Sequence, residues 1–311
     1  MNVFNKESGY LQRLSQLATE GQEMSPIPAA TENSTIVIRD IDASAEMRAV
    51  EELQKEVWGL PDLDVVPLSQ LVAAKAAGGI LLGAFEGETL VGFAYGFVSY
   101  EHGTVAHHSH MLAVKPAYRN FNLGHRLKMA QRERVLAQGI NLMSWTFDPL
   151  QSLNAHFNFN KLGVVSDRYF LNFYGEDAAS FLHRNGTDRL WVTWLLTSRR
   201  VNERLNLTNP KPVFEGVVPV VQLKADDSPR RHNLDEGLSH AQALIEIPAD
   251  INDLERRSGE LAVEWRAVTR WAFTEAIAAG YLVVDFSRQR RGDQQLGTYL
   301  LSREKRLGDF G

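Results

Sequence analysis

The chain has 311 residues, 44% of them apolar and 23% charged, and carries a net charge of −5 with a pI near 6.0. That balance suits a soluble globular protein with a sizeable core, and it lacks the dominant basic face that a nucleic-acid binder needs. With no cysteine, disulfides, thiolate metal sites and a cysteine nucleophile are excluded. No apolar run is long enough to span a membrane, and residues 1–21 lack the apolar segment of a secretory leader, so a cytoplasmic protein is expected.

In chain order, Leu11, Leu14 and Leu17 are spaced for a short amphipathic helix, and SPIPAATENS reads as a linker, which together set off residues 1–34. Ile36–Arg39 reads as a first strand. Ser44 is placed to cap a helix whose apolar face carries Met47, Val50, Leu53, Val57 and Trp58. A second helix over Leu68–Ala77 stops at Gly78–Gly79. Three apolar runs follow, Ile80–Phe85, Leu90–Ser99 and Val105–Val114, separated by EGET and YEHGT. These short, Gly-containing separators predict antiparallel hairpins.

After Pro116, Leu123, Leu127, Ala130, Arg134 and Leu136 fall on a helical repeat closed by Gly139, and Ile140–Phe147 is a further strand. A strand reached through a crossover helix should run parallel to its neighbour. A helix over Leu150–Leu162 ends at Gly163, followed by strands Val164–Phe173 and Leu190–Leu196. Beyond Pro210 and Pro212 a second block holds strands Val217–Leu223 and Ala243–Ile247, a long helix Ile251–Ala279, and strands Tyr281–Phe286 and Thr298–Leu301. The expectation is an α/β protein with a mixed sheet and flanking helices over residues 35–205, plus a smaller C-terminal α/β module over 206–311.

The segment HHSHMLAVKPAYRNFNLGHRL, residues 107–127, is the most informative. It reads as a strand, a proline bend and a tight turn opening a helix near Leu123. The free amides and dipole of a helix N-terminus favour an anion, and Asn122 and Gly124 tolerate the backbone that lets successive N–H groups converge on phosphate oxygens. Arg119 and Arg126 add positive charge. His108 and His110, two residues apart on a strand, should share a face with Leu112 and Val114.

The run Val114-x-Pro116-x-x-Arg119-x-x-Asn122-x-Gly124 resembles the acetyl-CoA signature of the GNAT superfamily, with Asn122 standing where the first glycine is usual. NAHFNFNKLG, Asn154–Gly163, resembles the later helix of that superfamily, and the resemblance extends over about residues 35–200. It implies a GNAT-type fold and acyl transfer from acyl-CoA, acetyl-CoA or succinyl-CoA, to a primary amine. It also implies that the amides of Phe121, Asn122, Leu123, Gly124 and His125 bind the CoA pyrophosphate. Main-chain groups of Leu112, Ala113 and Val114 would pair with pantetheine, and Asn154 would reach the CoA arm.

HSHMLAVKPAYRNFNLG further resembles the arylalkylamine N-acetyltransferases, in which two such histidines help deprotonate the amine. That implies a catalytic role for His108 and His110. A histidine, with its ordinary value near 6.5, suits that task. Phe159 stands where many members carry an acid-donating tyrosine, and Tyr169 and Tyr174 are substitutes. No metal is expected, because His107 should point away from His108 and His110 and no zinc spacing accompanies them. Long chains of this type also resemble a group of N-succinylating enzymes, which implies an amino acid acceptor. A protein N-acetyltransferase and a non-catalytic CoA-binding protein stand as alternatives. The expected partner is a small-molecule amine, with no nucleic acid and no membrane, and with homo-oligomerisation left open. The loop SRQRRGD, with Arg288, Arg290 and Arg291, is expected to offer a substrate carboxylate a partner.

Overall fold

The computed structural model describes residues 35–175, 185–208, 214, 216–217 and 219–310. The helix and linker expected in residues 1–34 lie outside these, as do Pro210 and Pro212. Strand β1 (Ile36–Asp40) leads into helices α1 (Ser44–Trp58) and α2 (Leu68–Ala76), then into the antiparallel run β2 (Ile80–Glu86), β3 (Thr89–Glu101) and β4 (Thr104–Val114). Helix α1 forms because Met47, Val50, Leu53 and Val57 recur at helical spacing and are buried. It ends where Gly59 adopts φ 63° and donates its N–H to Lys55 O. Ser44 is the first helical residue rather than the cap, since Ala43 holds that place without a side-chain bond.

Helix α3 (Leu123–Ala137) crosses over to β5 (Leu142–Phe147), which pairs parallel with β4 as the crossover rule requires. Next come a single α-turn, α4 (Ser152–Ala155), that continues as a π-helix over His156–Leu162, then β6 (Val165–Phe170), β7 (Arg189–Leu195) and α5 (Arg199–Leu205). The order β4-β5-β7-β6 places β7 antiparallel between the two strands that flank it.

The remaining elements are β8 (Pro219–Leu223), β9 (Pro229–Arg231), α6 (Leu234–Gly237), β10 (Gln242–Pro248), α7 (Ile251–Arg257), α8 (Gly259–Ala278), β11 (Leu282–Arg291) and β12 (Gln294–Ser302). The single helix expected over Ile251–Ala279 is two. Ser258 leaves helical geometry at φ −156°, and its hydroxyl caps the second helix by accepting from Leu261 N. The run SRQRRGD is not a loop either: it is the end of β11 and a turn at Gly292. β11 joins β6 at Val283↔Ser166, so the described strands form one 12-stranded sheet, and residues 35–311 are one compact unit. One core runs through it, with Phe159 packed edge-on against Tyr299 at 5.8 Å between ring centroids.

Candidate active site

The site begins where two strands part. β4 and β5 pair only at His107↔Met143 and His108↔Ser144. Beyond those pairs β4 continues through Leu112, Ala113 and Val114, and β5 through Trp145, Thr146 and Phe147, without pairing each other. The opening is a cavity of about 580 Å³ lined by Ser109, His110, Met111 and Leu112 of β4, by Trp145–Phe147 of β5, and by Lys128 of α3. Asn154, Phe157 and Asn158 close one side. Trp58, Leu60, Asp64 and Val66, from the end of α1 and the link to α2, close another, together with Tyr174 and Arg189.

The mouth is shaped by a β-bulge. Tyr95 faces Met111 and Phe97 faces His108, so Ser109 and His110 together oppose Gly96. A Cβ at Gly96 would lie 2.3 Å from His107 Nε2 and 2.6 Å from His108 O, which only glycine avoids. His108 and His110 stay on one face, with ring centroids 6.3 Å apart, both against Phe97. The extra residue moves Leu112 and Val114 to the other face, into the core beside Leu123 and Leu127, and leaves Met111 and buried Ala113 on the α1 side. The expectation that all four share a face is thereby corrected.

Of the two histidines, His110 lines the cavity, and burial lowers its pKa below the ordinary 6.5. His108 does not line it. Its Nδ1 is 3.1 Å from Ser144 Oγ, and that hydroxyl donates to Glu101. Glu101 also takes an ion pair from Arg168 at 2.7 Å and the indole N–H of Trp191 at 3.0 Å. Burial, with His110 nearby, pushes the His108 pKa down to about 4. His107 lies on the opposite face, its Nε2 3.3 Å from Gln131 Nε2. Among the described residues no group of three or more metal-ligating side chains is gathered.

The turn before α3 takes the expected form. Pro116–Phe121 is a 3₁₀ turn, and Asn122 sits in the left-handed region at φ 54°, ψ 24°, opening the helix at buried Leu123. Arg119, Phe121 and Asn122 are exposed there. Gly124 has no positive φ, and a Cβ on it would meet only Leu112 Cδ2 at 3.7 Å, so neither backbone nor packing demands glycine. His125 packs edge-on against Phe157 at 6.4 Å. Arg126 is turned away, donating to Ile36 O at 2.7 Å.

Several sequence candidates stand elsewhere. Phe159 is fully buried in the core and Tyr169 donates to Asp188 at 2.8 Å, while Tyr174 alone of the tyrosine candidates borders the cavity. Arg290 pairs with Asp293 at 3.1 Å, Arg291 pairs with Glu246 at 2.9 Å, and Arg288 is exposed on β11. None of the three lines this cavity, so the carboxylate role expected for that segment finds no support in it.

Three lining residues went unread in the sequence. Asp148 is buried and holds Arg266 of α8 through two bonds of 2.8 and 2.7 Å. Arg189 lies over the Tyr174 ring with its Cζ 5.2 Å from the centroid, and burial lowers its pKa. Lys128 is buried, donates to Ser109 Oγ at 2.6 Å and sits 3.7 Å above the Trp145 ring. Burial pushes its pKa down to about 7. The signal for Lys128 was present: it shares the phase of Leu123, Leu127, Gln131 and Val135, the buried stripe of α3.

Residues 45–163, from α1 to the end of the π-helix, match the family model of the acetyltransferase (GNAT) family. That match takes in the parted ends of β4 and β5 and the turn at Asn122. Among solved structures it is similar to the ribosomal-protein-S18-alanine N-acetyltransferase from Escherichia coli, at 12% identity and a TM-score of 0.42, covering 52% of this chain and 94% of that one. It is also similar to a GNAT family acetyltransferase from Elizabethkingia anophelis with acetyl-CoA bound, at 15% identity and a TM-score of 0.41, covering 51% of this chain and 97% of that one. The aminoglycoside 6'-N-acetyltransferase from Enterococcus faecium is 17% identical with a TM-score of 0.39, covering 57% of this chain and 99% of that one. No curated protein sequence matches the chain.

Proposed function

We propose that the enzyme transfers an acyl group, acetyl or succinyl, from acyl-CoA held between the parted ends of β4 and β5 to the primary amine of a small molecule, an amino acid in particular. The observation that carries this reading is the open strand pair with a left-handed turn and a helix N-terminus at its end. Main-chain groups of Leu112, Ala113 and Val114 are free on the β5 side to pair with pantetheine as an added strand does. The amides from Phe121 to His125 receive the pyrophosphate, with Arg119 beside them. Asn154, on the cavity wall, reaches the CoA arm. Glycine at 124 then has a reason that the protein itself does not supply: a side chain there would occupy the phosphate's space.

On the other wall His110, uncharged at neutral pH because burial holds its pKa down, accepts the proton of the incoming ammonium. A β4 amide at the bulge is placed to stabilise the oxyanion of the tetrahedral intermediate. Arg189 supplies the cation for a carboxylate on the acceptor, the task first assigned to the β11 arginines.

The test is thermal stabilisation by acetyl-CoA and succinyl-CoA, followed by thiol release across a panel of amines and amino acids. Ligand at a hundred times its dissociation constant should stabilise the wild type by about 2.7 kcal/mol, and Gly124→Val should remove that gain while remaining folded. A folded Gly124→Val variant that keeps the full stabilisation would place CoA elsewhere.

A further inference from the structure

Lys128 is unlike the other charged groups of the cavity. Its described partners are the Ser109 hydroxyl and the face of Trp145, and among the described residues no carboxylate pairs with it. Ser109 in turn donates to Gln131 Oε1 at 2.8 Å, which fixes the hydroxyl so that it presents a lone pair to Nζ and aims the ammonium along the cavity wall. An ammonium taken out of water without a counter-ion costs several kcal/mol. A cation kept under those terms at the edge of a binding cleft finds its complement in an anion that arrives there. Acyl transfer from a thioester always produces one, whatever the acyl chain or the amine: the CoA thiolate.

The structure assigns to Lys128 the delivery of a proton to the departing CoA sulfur, on the wall of the cleft opposite the histidine that takes protons from the amine. This rests on the acyl-CoA reading above. His110 lies on the face of β4 that packs toward α1, and Lys128 reaches the cleft from α3 on the other face. The balance is that RCO–SCoA and R′NH₃⁺ give RCO–NHR′, HSCoA and one H⁺. His110 takes one proton from the ammonium before the C–N bond forms and a second from the nitrogen of the tetrahedral intermediate, passing each to solvent. The C–S bond breaks with its electron pair passing to sulfur, which takes a proton from Lys128, and Lys128 regains one from solvent.

The direction of transfer is favourable. A thiolate whose thiol titrates near 8.5 is a stronger base than an amine that burial has pushed down to about 7. His107 and His108, each low in pKa and uncharged at neutral pH, are the titratable neighbours on β4. Across the cleft stand Asp64, His110, Asp148 (already paired with Arg266), Tyr174 and Arg189.

The test uses the best acceptor from the amine panel. Wild-type kcat should fall as pH rises above about 7, where Lys128 loses the proton it must give, and Lys128→Met should lack that falling limb. In turnover with acetyl-CoA, kcat should fall about a hundredfold in Lys128→Met and stay low in Lys128→Arg. Arginine keeps the charge and does not release the proton. KM for acetyl-CoA should change by less than about threefold. A falling limb kept in Lys128→Met, or recovery of kcat in Lys128→Arg, would overturn the assignment and leave CoA binding untouched. A loss confined to succinyl-CoA would make Lys128 a receptor for the acyl carboxylate instead. Absence of any CoA-dependent stabilisation would remove this inference and the acyl-CoA site together.

Discussion

Two buried cations, Lys128 on the wall of the cleft and Arg266 behind Asp148 of that wall, are treated in opposite ways. Arg266 meets Asp148 in a two-pronged pair, and its Nε donates to Asn185 O at 2.7 Å, so its charge is answered inside the protein. Lys128, equally buried, meets a hydroxyl and an aromatic face. A buried charge with its counter-ion built in ties elements together. One without it burdens the folded state and is retained for what enters the cleft.

The sharpest way to break this contrast is Asp148→Ala, which strands Arg266. Loss of one partner of a buried pair should cost about 3–5 kcal/mol, read as a fall in the urea midpoint at constant slope. A loss below about 1 kcal/mol would show that the pair does not tie α8 to the segment after β5 with the strength of a buried ion pair.

On the chemical side, His110→Gln should lower kcat about a hundredfold at neutral pH, and His108→Gln, set back behind Ser144, considerably less. Because burial lowers the His110 pKa, the wild-type rate should rise with pH through a value under the ordinary 6.5 and fall again above about 7 as Lys128 loses its proton, and His110→Gln should lack the rising limb. Equal effects of the two substitutions would return His108 to the site.

Lys128→Met sharpens the comparison from the stability side. Removing an unanswered buried charge should stabilise the fold by about 1 kcal/mol at pH 7. Its pH dependence has a definite sign. Below about 7 both folded and unfolded chains hold the lysine proton. Between there and the ordinary lysine value near 10.4 the unfolded chain binds a proton that the folded chain does not, so wild-type stability should climb with pH across that window. Lys128→Met should lose the climb, and a parallel pair of pH profiles would contradict the lowered pKa. The smallest effect is expected from Arg288→Ala and Arg290→Ala, which should leave KM for every substrate unchanged because neither side chain reaches the cavity.

Much of the fold was legible because it is written in local period. Alternating apolar runs with glycine between them marked the β2–β3–β4 meander, and the phase of Leu123 and Leu127 marked the crossover helix. The left-handed Asn122 followed from side-chain type alone. What was not legible depends on register or distance. A bulge adds one residue without changing composition, so counting by twos carried Leu112 and Val114 to the wrong face. The hint lay on the neighbouring strand, in Gly96. The Ser258 break was readable as a cap signal but was overridden by apolar residues on both sides. The ion pair of Asp148 with Arg266 joins positions 118 apart and leaves no local trace.

That separation has a consequence for the order in which the protein is made. A ribosome releases Asp148, β5 and the turn at Asn122 well before α8 exists, so the nascent chain can pair strands β1 through β5 while Asp148 still lacks its counter-ion. Gln151 likewise waits for Asn252, with which it exchanges two hydrogen bonds of 3.1 Å, and Pro149 O waits for the Tyr299 hydroxyl. All three partners lie 101 to 150 residues further along the chain, and all three fasten the segment just after β5. Domains acquire structure as they emerge, so the N-terminal half can be folded early, yet its cleft is finished only once the C-terminal strands have docked.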